Sequence, residues 1–539
     1  MKKIYLKAII IIFALLIQSA FSQTNISGGD VSGTWTKAIS PYFINGEITI
    51  PNDSTLIIEP GVEVIFKGHY KFNVQGRLLA IGTKQDTIHF TAENTGTGWH
   101  GIRFTDTPNT NDTSKFFYCS FKYGKANTGI NFDRCGGAMM IKQFDKVLIS
   151  SCLFDSNMNS GTAVPQAGPA IYVYNASVTI ENSTFSNNSG SLGTAIACIG
   201  NSKAIISHNV LFKNSGLGAS IAAYGSGSSP LISGNIVFNN FGYYGAGINS
   251  EVSSNPRIEN NIIFNNRGTY GSGIFCWSNV KPIIINNTIV NNNGSSNGGG
   301  IFCTDASHPM LINNIIYGNT RSKFEKMQVY ISDKESDPNF LYCNIEGGKD
   351  GFEGAGAGNN YGGLYKNNID ADPLLSDDYQ LSDFSPCIGA GIDSVEVEGI
   401  WYKVSSFCFY GNPRPNPAGS MPDIGACESP LGTPVTGIEE ALVNPIEFFL
   451  YQNYPNPFNP STKISWQSPV SSLPDGKAGW QTLKVYDVLG SEIATLVDEY
   501  KSAGTYEVEF NASNLVSGVY YYQLEAGNFL DTKKMLLLR

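Results

Sequence analysis

A short apolar phrase recurs seven times between Leu148 and Tyr317, and this repeat limits the possible folds more than any other feature of the sequence. Its copies end at Phe154, Phe185, Phe212, Phe238, Phe264, Val290 and Tyr317. Successive end positions differ by 31, 27, 26, 26, 26 and 27 residues. A fixed period of this length indicates a solenoid, in which each repeat forms one coil and packs on its neighbours.

Each copy consists of strand-forming pieces. In residues 246–271, short segments at Gly247–Ser250, Pro256–Asn260 and Asn261–Asn266 are separated by turn residues, and Gly268–Gly271 is predicted to be a loop. Asn, Gly, Ser and β-branched residues are poor in helix interiors. Three short β-rich pieces fit one triangular coil. The pattern therefore predicts an all-β parallel solenoid.

An asparagine stands three residues before the end of each copy from the second onward. The predicted column is Asn182, Asn209, Asn235, Asn261, Asn287 and Asn314. Asparagine tolerates the left-handed backbone that a sharp corner needs, and amides stacked at ~4.8 Å can hydrogen-bond from coil to coil. We therefore predict a structural asparagine ladder. The phenylalanines that end the first five copies are predicted to form a second inward stack beside it.

The repeat resembles the right-handed parallel β-helix superfamily, the pectate-lyase-like solenoids with an asparagine ladder. The resemblance covers roughly residues 45–430, and the phrases Ile58–Phe66 and Gly98–Phe104 resemble the opening coils of exported bacterial β-helix proteins. Residues 370–428, which include Asn412–Pro415 and Asp423–Glu428, resemble the closing region of choice-of-anchor β-helix proteins. The resemblance implies a right-handed β-helix and by itself assigns no catalytic residue.

The ends of the chain differ from the repeat. Residues 1–22 have the pattern of a secretory signal peptide, with lysines before an apolar run and a small-x-small site at Ala20–Ser22. That run is too short to span a membrane stably, and no transmembrane span is predicted elsewhere. We interpret residues 23–110 as an N-terminal cap and first coils, 111–430 as the β-helix with its C-terminal cap, 431–445 as a linker and 446–539 as a separate domain.

Residues 446–539 carry several short strands with turns between them, which is typical of an immunoglobulin-like β-sandwich. Four phrases follow in order: Tyr454–Pro460, Val485–Gly490, Ser517–Leu524 and Lys533–Arg539. Together they closely resemble the type A C-terminal sorting domain of the Bacteroidota type IX secretion system. The resemblance implies export through the outer membrane by the type IX machinery, removal of this domain, and attachment of the rest to the cell surface or its release.

The charge distribution narrows the class of partner. The net charge of −10 argues against nucleic acid. The acidity lies after the repeats, since residues 333–428 hold 16 Asp and Glu against five Lys and Arg. Carboxylate oxygens suit hard cations, so Ca²⁺ is a candidate cofactor. Because no ligand spacing is recognisable, we interpret the region as a solvated acidic face without a cofactor, and Ca²⁺ binding is the alternative.

Four of the ten cysteines are predicted to stack in pairs. Cys119 and Cys152 share a register, and Cys276 and Cys303 both follow Gly-Ile-Phe on neighbouring coils. Stacking would bring each pair within the Cα range of a disulfide, and export makes oxidation possible. Reduced thiols packed as small apolar groups are the alternative.

One candidate site follows the first strand of successive coils. The predicted column is Tyr174, Ile199, Tyr224, Glu251, Trp277 and Thr304. Glu251, between two aromatic residues, is the candidate catalytic residue, although the alternative is a simply solvated carboxylate. Aromatic rings can stack on sugar rings. The candidate ligand-binding residues are Tyr224, Trp277, Tyr244, Tyr270 and Asp305.

Three functions remain open. The first is an exported cell-surface or secreted protein that binds glycans or adheres without catalysis. The second is a polysaccharide lyase or glycoside hydrolase, but a hydrolase needs two carboxylates ~5–10 Å apart, and the sequence places no second acid reliably opposite Glu251. The third is a purely structural surface protein.

Overall fold

The structure is a computed structural model. It describes residues 23–159, 167–322, 325–435, 448–468, 477–488, 490–502, 504–527 and 529–538. The chain divides into two compact units, residues 1–435 and 436–539. The described residues contain no α-helix and include short 3₁₀ turns at Lys37–Ile39, Asn131–Arg134, Lys349–Gly351 and Gly358–Asn360. The predicted signal peptide and most of the predicted linker lie outside the described residues.

Three long parallel sheets form the first unit. The strands of sheet A are Thr24–Ile26, Tyr42–Ile44, Glu63–Phe66, Ile88–Ala92, Cys119–Lys122, Leu153–Asp155, Thr184–Ser186, Val210–Phe212, Ile236–Phe238, Ile262–Phe264, Thr288–Val290, Ile315–Tyr317 and Asn344–Ile345. Those of sheet B are Gly29–Asp30, Ile48–Ile50, Phe72–Val74, Ile102–Phe104, Met139–Lys142, Ile171–Tyr174, Ile196–Ile199, Ile221–Tyr224, Ile248–Glu251, Ile274–Trp277, Ile301–Thr304 and Val329–Ile331. Those of sheet C are Gly33–Trp35, Thr55–Ile58, Arg77–Ile81, Ser114–Phe117, Val147–Ser150, Thr179–Glu181, Ile205–Ser207, Leu231–Ser233, Arg257–Glu259, Ile283–Ile285, Met310–Ile312, Asn339–Leu341 and Tyr365–Lys366.

A fourth, shorter sheet joins sheet A to sheet B. The strands of sheet D are Lys125–Ala126, Met158–Asn159, Ser189–Gly190, Ser215–Gly216, Phe241–Tyr244, Arg267–Tyr270, Asn293–Asn297, Thr320–Arg321 and Glu325–Lys326. The prediction of a loop at residues 268–271 was therefore wrong. Gly268 pairs with Gly242 below it and with Gly294 above it. Because glycines stack on glycines here, the neighbouring backbones can approach and pair as strands of sheet D.

The first coils pass through sheets A, B and C, and from Lys125–Ala126 onward a coil passes through sheets A, D, B and C in turn. Strands of sheets A, B and C pair in parallel with the strand one coil away, and in sheet D the pair Thr320–Arg321 and Glu325–Lys326 is antiparallel. The prediction of an all-β parallel solenoid is thus confirmed. Side chains alternate between the two faces of a strand, so Ile258, Ile263 and Ile274 point inward and are fully buried. Their stacking coil upon coil forms one apolar core along the solenoid.

The interior contains an asparagine ladder. Asn209 Nδ2 donates to Asn235 Oδ1 at 3.0 Å, and the same bond joins Asn235 to Asn261, Asn261 to Asn287 and Asn287 to Asn314 at 2.9–3.0 Å. Each amide also donates to a carbonyl on an adjacent coil, as Asn261 does to Ile232 O at 2.9 Å. These buried polar groups are therefore satisfied within the protein.

Asn182 does not belong to this ladder, which corrects the sequence-based prediction. Ser183 takes the position, and its backbone N–H donates to Asn209 Oδ1 at 3.0 Å, while Asn182 is exposed. The cause is the register of the coils, because Phe185 pairs with Leu211 and not with Phe212. A shift of one residue moves each side chain of a strand to the opposite face.

The same shift divides the predicted phenylalanine stack into two. Phe154 and Phe185 are fully buried and stack with ring centroids 4.9 Å apart. Phe212, Phe238 and Phe264 form a separate stack, with centroids 5.3 and 5.0 Å apart, and are only half-buried. These three rings lie on the outer face of sheet A, so the prediction that they point inward was wrong.

A second asparagine ladder lies five residues after the first. Its members are Asn157, Asn188, Asn214, Asn240, Asn266, Asn292 and Asn319. Gln328 closes it, since Asn319 Nδ2 donates to Gln328 Oε1 at 2.8 Å. The two ladders mark the two ends of the sheet A strands. Both corners of sheet A are thus held by buried amides.

The segment after the last coils folds back along the outside of the solenoid. Three corner asparagines bind its backbone: Asn260 Nδ2 donates to Phe407 O, Asn286 Nδ2 to Asp423 O and Asn313 Nδ2 to Ile392 O. A hairpin of Ser394–Val397 and Ile400–Lys403 projects from this segment. The segment therefore ties several neighbouring coils together.

The second unit is a small antiparallel β domain. One sheet contains Phe449–Leu450, Ser461–Ser468 and Gly504–Asn511, and the other contains Glu492–Ser502, Lys477–Tyr486, Gly518–Ala526 and Phe529–Leu537. Trp466 from the first sheet and Tyr522 from the second belong to one buried core. This arrangement agrees with the predicted β-sandwich.

Candidate functional site

The structure places the predicted first-strand column in register. Tyr224 pairs with Glu251, Glu251 with Trp277 and Trp277 with Thr304 along sheet B. Tyr174 and Ile199 continue the column on the preceding coils. Glu251 thus lies between two aromatic residues, at the corner where its strand ends.

The Glu251 side chain is buried, so the alternative of a simply solvated carboxylate was wrong. Only 4% of the residue is exposed, because Asn249 packs beside it and the neighbouring coils cover it. Asn249 Nδ2 donates to Glu251 Oε1 at 2.7 Å. Burial raises the pKa of Glu251 to about 7, and the Asn249 hydrogen bond acts in the opposite direction.

Tyr244 and Tyr270 belong to an aromatic surface above the start of the sheet B strands. Their rings stack with centroids 6.0 Å apart, and Tyr270 also packs against Phe302 at 5.6 Å. Phe275 and Phe302 stack beneath them at 5.3 Å. Tyr244 remains exposed, whereas Phe275 and Phe302 are buried. The tyrosines therefore shield the outer face of sheet B as well as presenting rings to solvent.

The remaining candidates lie at the other end of these strands. Trp277 is exposed and Tyr224 is half-buried. Asp305 is exposed at the next corner position, two coils from Glu251, and its backbone N–H donates to Asp333 Oδ2 at 2.6 Å. The structure therefore separates the sequence-predicted candidates into two groups.

A groove that the sequence analysis missed runs along the solenoid between sheets A and D. It has a volume of about 860 Å³ and crosses four coils. We call it the asparagine groove. The side chains and backbone of Asn239, Asn240, Phe241, Asn265, Arg267, Asn291, Asn293, Gly318 and Thr320 line it.

Three asparagines in the groove repeat once per coil. Asn239, Asn265 and Asn291 hold the corner after each sheet A strand with φ of 52°, 53° and 56°. The left-handed backbone turns their side chains outward, and all three are exposed. Their neighbours Asn240, Asn266 and Asn292 point inward and form the second ladder. One Asn-Asn pair per coil thus supplies an internal ladder and an external row of amides.

Comparison with protein families matches two parts of the chain. The family described as "Right handed beta helix region" matches residues 109–289 and 269–371, and the family described as "Secretion system C-terminal sorting domain" matches residues 452–538. The chain joins a right-handed β-helix to a type IX sorting domain. Comparisons of this β-helix protein with curated proteins and with solved structures gave no match.

The sorting domain indicates the cellular location of the β-helix protein. It makes the protein an exported one, secreted or held at the cell surface. Within the part of the chain that the structure describes, no helix combines the length and the apolar character needed to cross a membrane.

The groove left a signal in the sequence of the β-helix protein. An Asn-Asn pair directly follows the end residue of three successive copies, at 239–240, 265–266 and 291–292. The repeated pairs indicate a second column of asparagines, five residues after the predicted ladder, in addition to an exposed one. In the regions described, no group of three or more His, Cys, Asp or Glu side chains is arranged to hold a metal ion. Binding of Ca²⁺ by the acidic region stays a prediction.

Proposed function

We propose that this β-helix protein binds an extracellular polysaccharide along the asparagine groove without modifying it. The observation that supports the proposal most strongly is the row of exposed amides at Asn239, Asn265 and Asn291 beside Phe241 and Arg267. An adhesive or glycan-binding role at the cell surface suits an exported solenoid.

The spacing of the amides suits a repeating ligand. Coils of a parallel solenoid lie ~4.8 Å apart, which is comparable to the length of one sugar ring along an extended polysaccharide. Each amide offers two donors and one acceptor oxygen to sugar hydroxyls. The groove is long and open, so it suits a chain molecule better than a small ligand.

Phe241 and Arg267 supply the other two kinds of contact that sugars use. Phe241 is 57% exposed at the edge of the groove, where an apolar ring face can cover the C–H face of a sugar. Arg267 pairs with Phe241 in the sheet D ladder and is also exposed. A guanidinium binds carboxylate or sulfate oxygens in a bidentate manner. We therefore expect a preference for acidic polysaccharides that weakens as salt is added.

The chemistry of the lining supports binding over catalysis. A lyase or glycosidase needs a positioned acid or base at the ligand, and the residues that line the groove carry amide, aromatic, hydroxyl and guanidinium groups. Glu251 belongs to sheet B, while the groove lies between sheets A and D.

The test uses the full chain and a panel of neutral and uronate-containing polysaccharides, with affinity and product release measured in parallel. Arg267→Ala is expected to weaken binding of acidic polysaccharides by about tenfold or more, because a charged hydrogen bond contributes ~1.5–3 kcal/mol. Phe241→Ala is expected to weaken the binding of neutral and acidic polysaccharides alike.

Two further variants locate the site. Asn265→Gly removes one amide without straining the left-handed corner and is expected to weaken binding, whereas Tyr244→Ala, in the aromatic surface, is expected to leave it unchanged. Loss of binding in Tyr244→Ala with full binding in Arg267→Ala would move the site to the aromatic surface. Release of reducing ends or unsaturated uronates, abolished by Glu251→Gln, would replace binding with catalysis.

A further inference from the structure

Two histidines from successive coils face each other near the N-terminal end of the solenoid. His69 lies in the turn before Phe72–Val74, and His100 lies just before Ile102–Phe104, the next strand of sheet B. Their Nδ1 atoms are 3.4 Å apart. Thr128, from the following coil, places its Oγ1 3.4 Å from each of these nitrogens. Three polar atoms thus form a nearly equilateral triangle.

The outer nitrogens of the two rings determine which atoms face the triangle. His69 Nε2 lies 2.6 Å from Lys125 O, and His100 Nε2 lies 2.9 Å from Asp133 O. A carbonyl oxygen only accepts, so each Nε2 carries the proton. In a neutral imidazole the other nitrogen then presents a lone pair.

The triangle cannot be satisfied by its own hydrogen atoms. Two Nδ1 acceptors lie 3.4 Å apart, and the Thr128 hydroxyl has one proton to share between them. At most one of the three edges is therefore a hydrogen bond when both rings are neutral. His100 is only 2% exposed, so an unpaired lone pair there is costly.

We propose that His69, His100 and Thr128 bind a tetrahedral transition-metal ion, with Zn²⁺ as the best fit. The corners of a regular tetrahedron with 3.4 Å edges lie about 2.1 Å from its centre, and for the two histidine nitrogens this matches Zn–N distances of ~2.0–2.1 Å. Thr128 is exposed, so the ion can enter from solvent and keep a water as its fourth ligand. Donation of the outer N–H to a backbone carbonyl is also the usual support of a metal-binding histidine.

The surrounding charges moderate the affinity and do not block the site. Arg103 donates to the backbone oxygens of His100 and Cys135. Lys71 lies close as well, but its Nζ pairs with Asp133 Oδ1 at 2.9 Å, which offsets its charge. Imidazole nitrogens are good zinc ligands even without a formal negative charge, so the two histidines can bind the ion beside these cations, with a lower affinity.

The test measures Zn²⁺ uptake by the full chain, purified without a histidine tag, by equilibrium dialysis and calorimetry at pH 7. One Zn²⁺ per chain is expected. His69→Gln, at a half-buried position, is expected to weaken binding by about tenfold or more, and Thr128→Ala by a smaller factor. His89→Gln, on the outer face of sheet A, is the matched control and is expected to bind like the parent.

Co²⁺ supplies a second measurement, since the parent should show the visible absorption of a tetrahedral cobalt complex and His69→Gln should lose it. His100→Gln is expected to abolish uptake, and its urea midpoint shows whether the fold survives. If that variant unfolds, the loss of metal binding in His69→Gln is the test of the proposal. No saturable uptake by the parent, or equal uptake by parent and His69→Gln, would overturn the proposal.

Discussion

Asn266 Nδ2 donates a hydrogen bond of 2.9 Å to Asn292 Oδ1, one coil further along the solenoid. Asn266 Oδ1 in turn accepts from both the backbone N–H and Nδ2 of Asn240, at 3.1 and 2.9 Å. Asn266 Nδ2 also donates to Val237 O at 2.8 Å. One buried amide therefore satisfies polar groups on three coils.

We expect Asn266→Ala to lower the free energy of unfolding by about 3 kcal/mol, because it leaves several buried donors and acceptors unpaired. The urea midpoint of the solenoid measures the effect. The adjacent Asn265→Gly removes an exposed amide at a left-handed corner and should change stability by about 0.5 kcal/mol or less. Equal losses in the two variants would show that the internal ladder contributes nothing beyond the side chain itself.

Glu251 predicts a specific pH dependence of stability. Its pKa rises from 4.5 to about 7 on folding, chiefly through burial. The folded protein therefore holds the proton more tightly than the unfolded chain, and stability falls as pH rises from about 4.5 to 7. At ~1.4 kcal/mol per pKa unit, the full loss is about 3 kcal/mol.

Glu251→Gln keeps an acceptor for Asn249 and cannot ionise. We expect its urea midpoint to equal that of the parent near pH 4.5 and to exceed it at pH 8. Both proteins retain Asp423 and Glu428, which burial also shifts to higher pKa, so the difference between the proteins isolates Glu251. The same midpoint difference at both pH values would contradict the assignment.

Arg414 holds two buried carboxylates in the closing segment. Its side chain and that of Glu428 are fully buried, with Nε 3.2 Å from Oε2. Asp423 accepts from the backbone N–H groups of Gly389 and Ser429 in the same cluster. Arg414→Ala leaves the carboxylates without their cation, and we expect a loss of about 3–5 kcal/mol.

Limited proteolysis measures where that loss acts. Cleavage of the Arg414→Ala variant should become faster within residues 386–430, while the coils stay protected. Lys37→Ala, which breaks an exposed ion pair with Asp86, is the control and should cost about 0.5 kcal/mol or less. Unchanged cleavage of the closing segment would mean that its other contacts suffice to hold it.

The burial of the cysteines predicts how many thiols react before and after unfolding. All ten are buried and in the reduced form, and Cys276 pairs in register with Cys303 on the next coil. Burial and the neighbouring Cys276 thiol raise the pKa of Cys303 well above its usual range. We expect no rapid alkylation of the native protein and ten reactive thiols after unfolding in urea.

The stacked pairs provide the alternative outcome. Two fewer thiols after unfolding would show that one pair, Cys276 and Cys303 or Cys119 and Cys152, forms a disulfide in the exported protein. Four fewer thiols would show that both pairs do. Cys303→Ala distinguishes the pairs, because it should lower the count by one if its partner is reduced and raise it by one if Cys276 is released from a disulfide.

Local sequence was sufficient for the parts of the fold that repeat. The positions of Asn209, Asn235, Asn261, Asn287 and Asn314 could be predicted because each coil must return to the same corner after the same number of residues. Asn182 could not, since the interval from Phe185 to Phe212 is one residue longer and the sequence does not say which face that residue takes.

The candidate sites depended on more distant neighbours. Tyr224, Glu251 and Trp277 were correctly aligned by counting along the repeat, but the burial of Glu251 follows from its neighbours Asn249, Tyr224 and Trp277. His69, His100 and Thr128 come from three coils near the N-terminal end, where the regular period had not yet begun. Their proximity could not be read from spacing.

The sequence by itself determined that the chain winds into stacked parallel coils and carries an export domain. Both follow from local patterns, the repeat and the sorting-domain phrases, which can be recognised without knowing their spatial neighbours. Only the tertiary structure decided which face each residue occupies, how the Asn-Asn pairs divide between ladder and groove, and which histidines meet. The physical reason is that a strand alternates its faces with every residue, so a single inserted residue reverses inside and outside, and only pairing with the coils above and below selects between them.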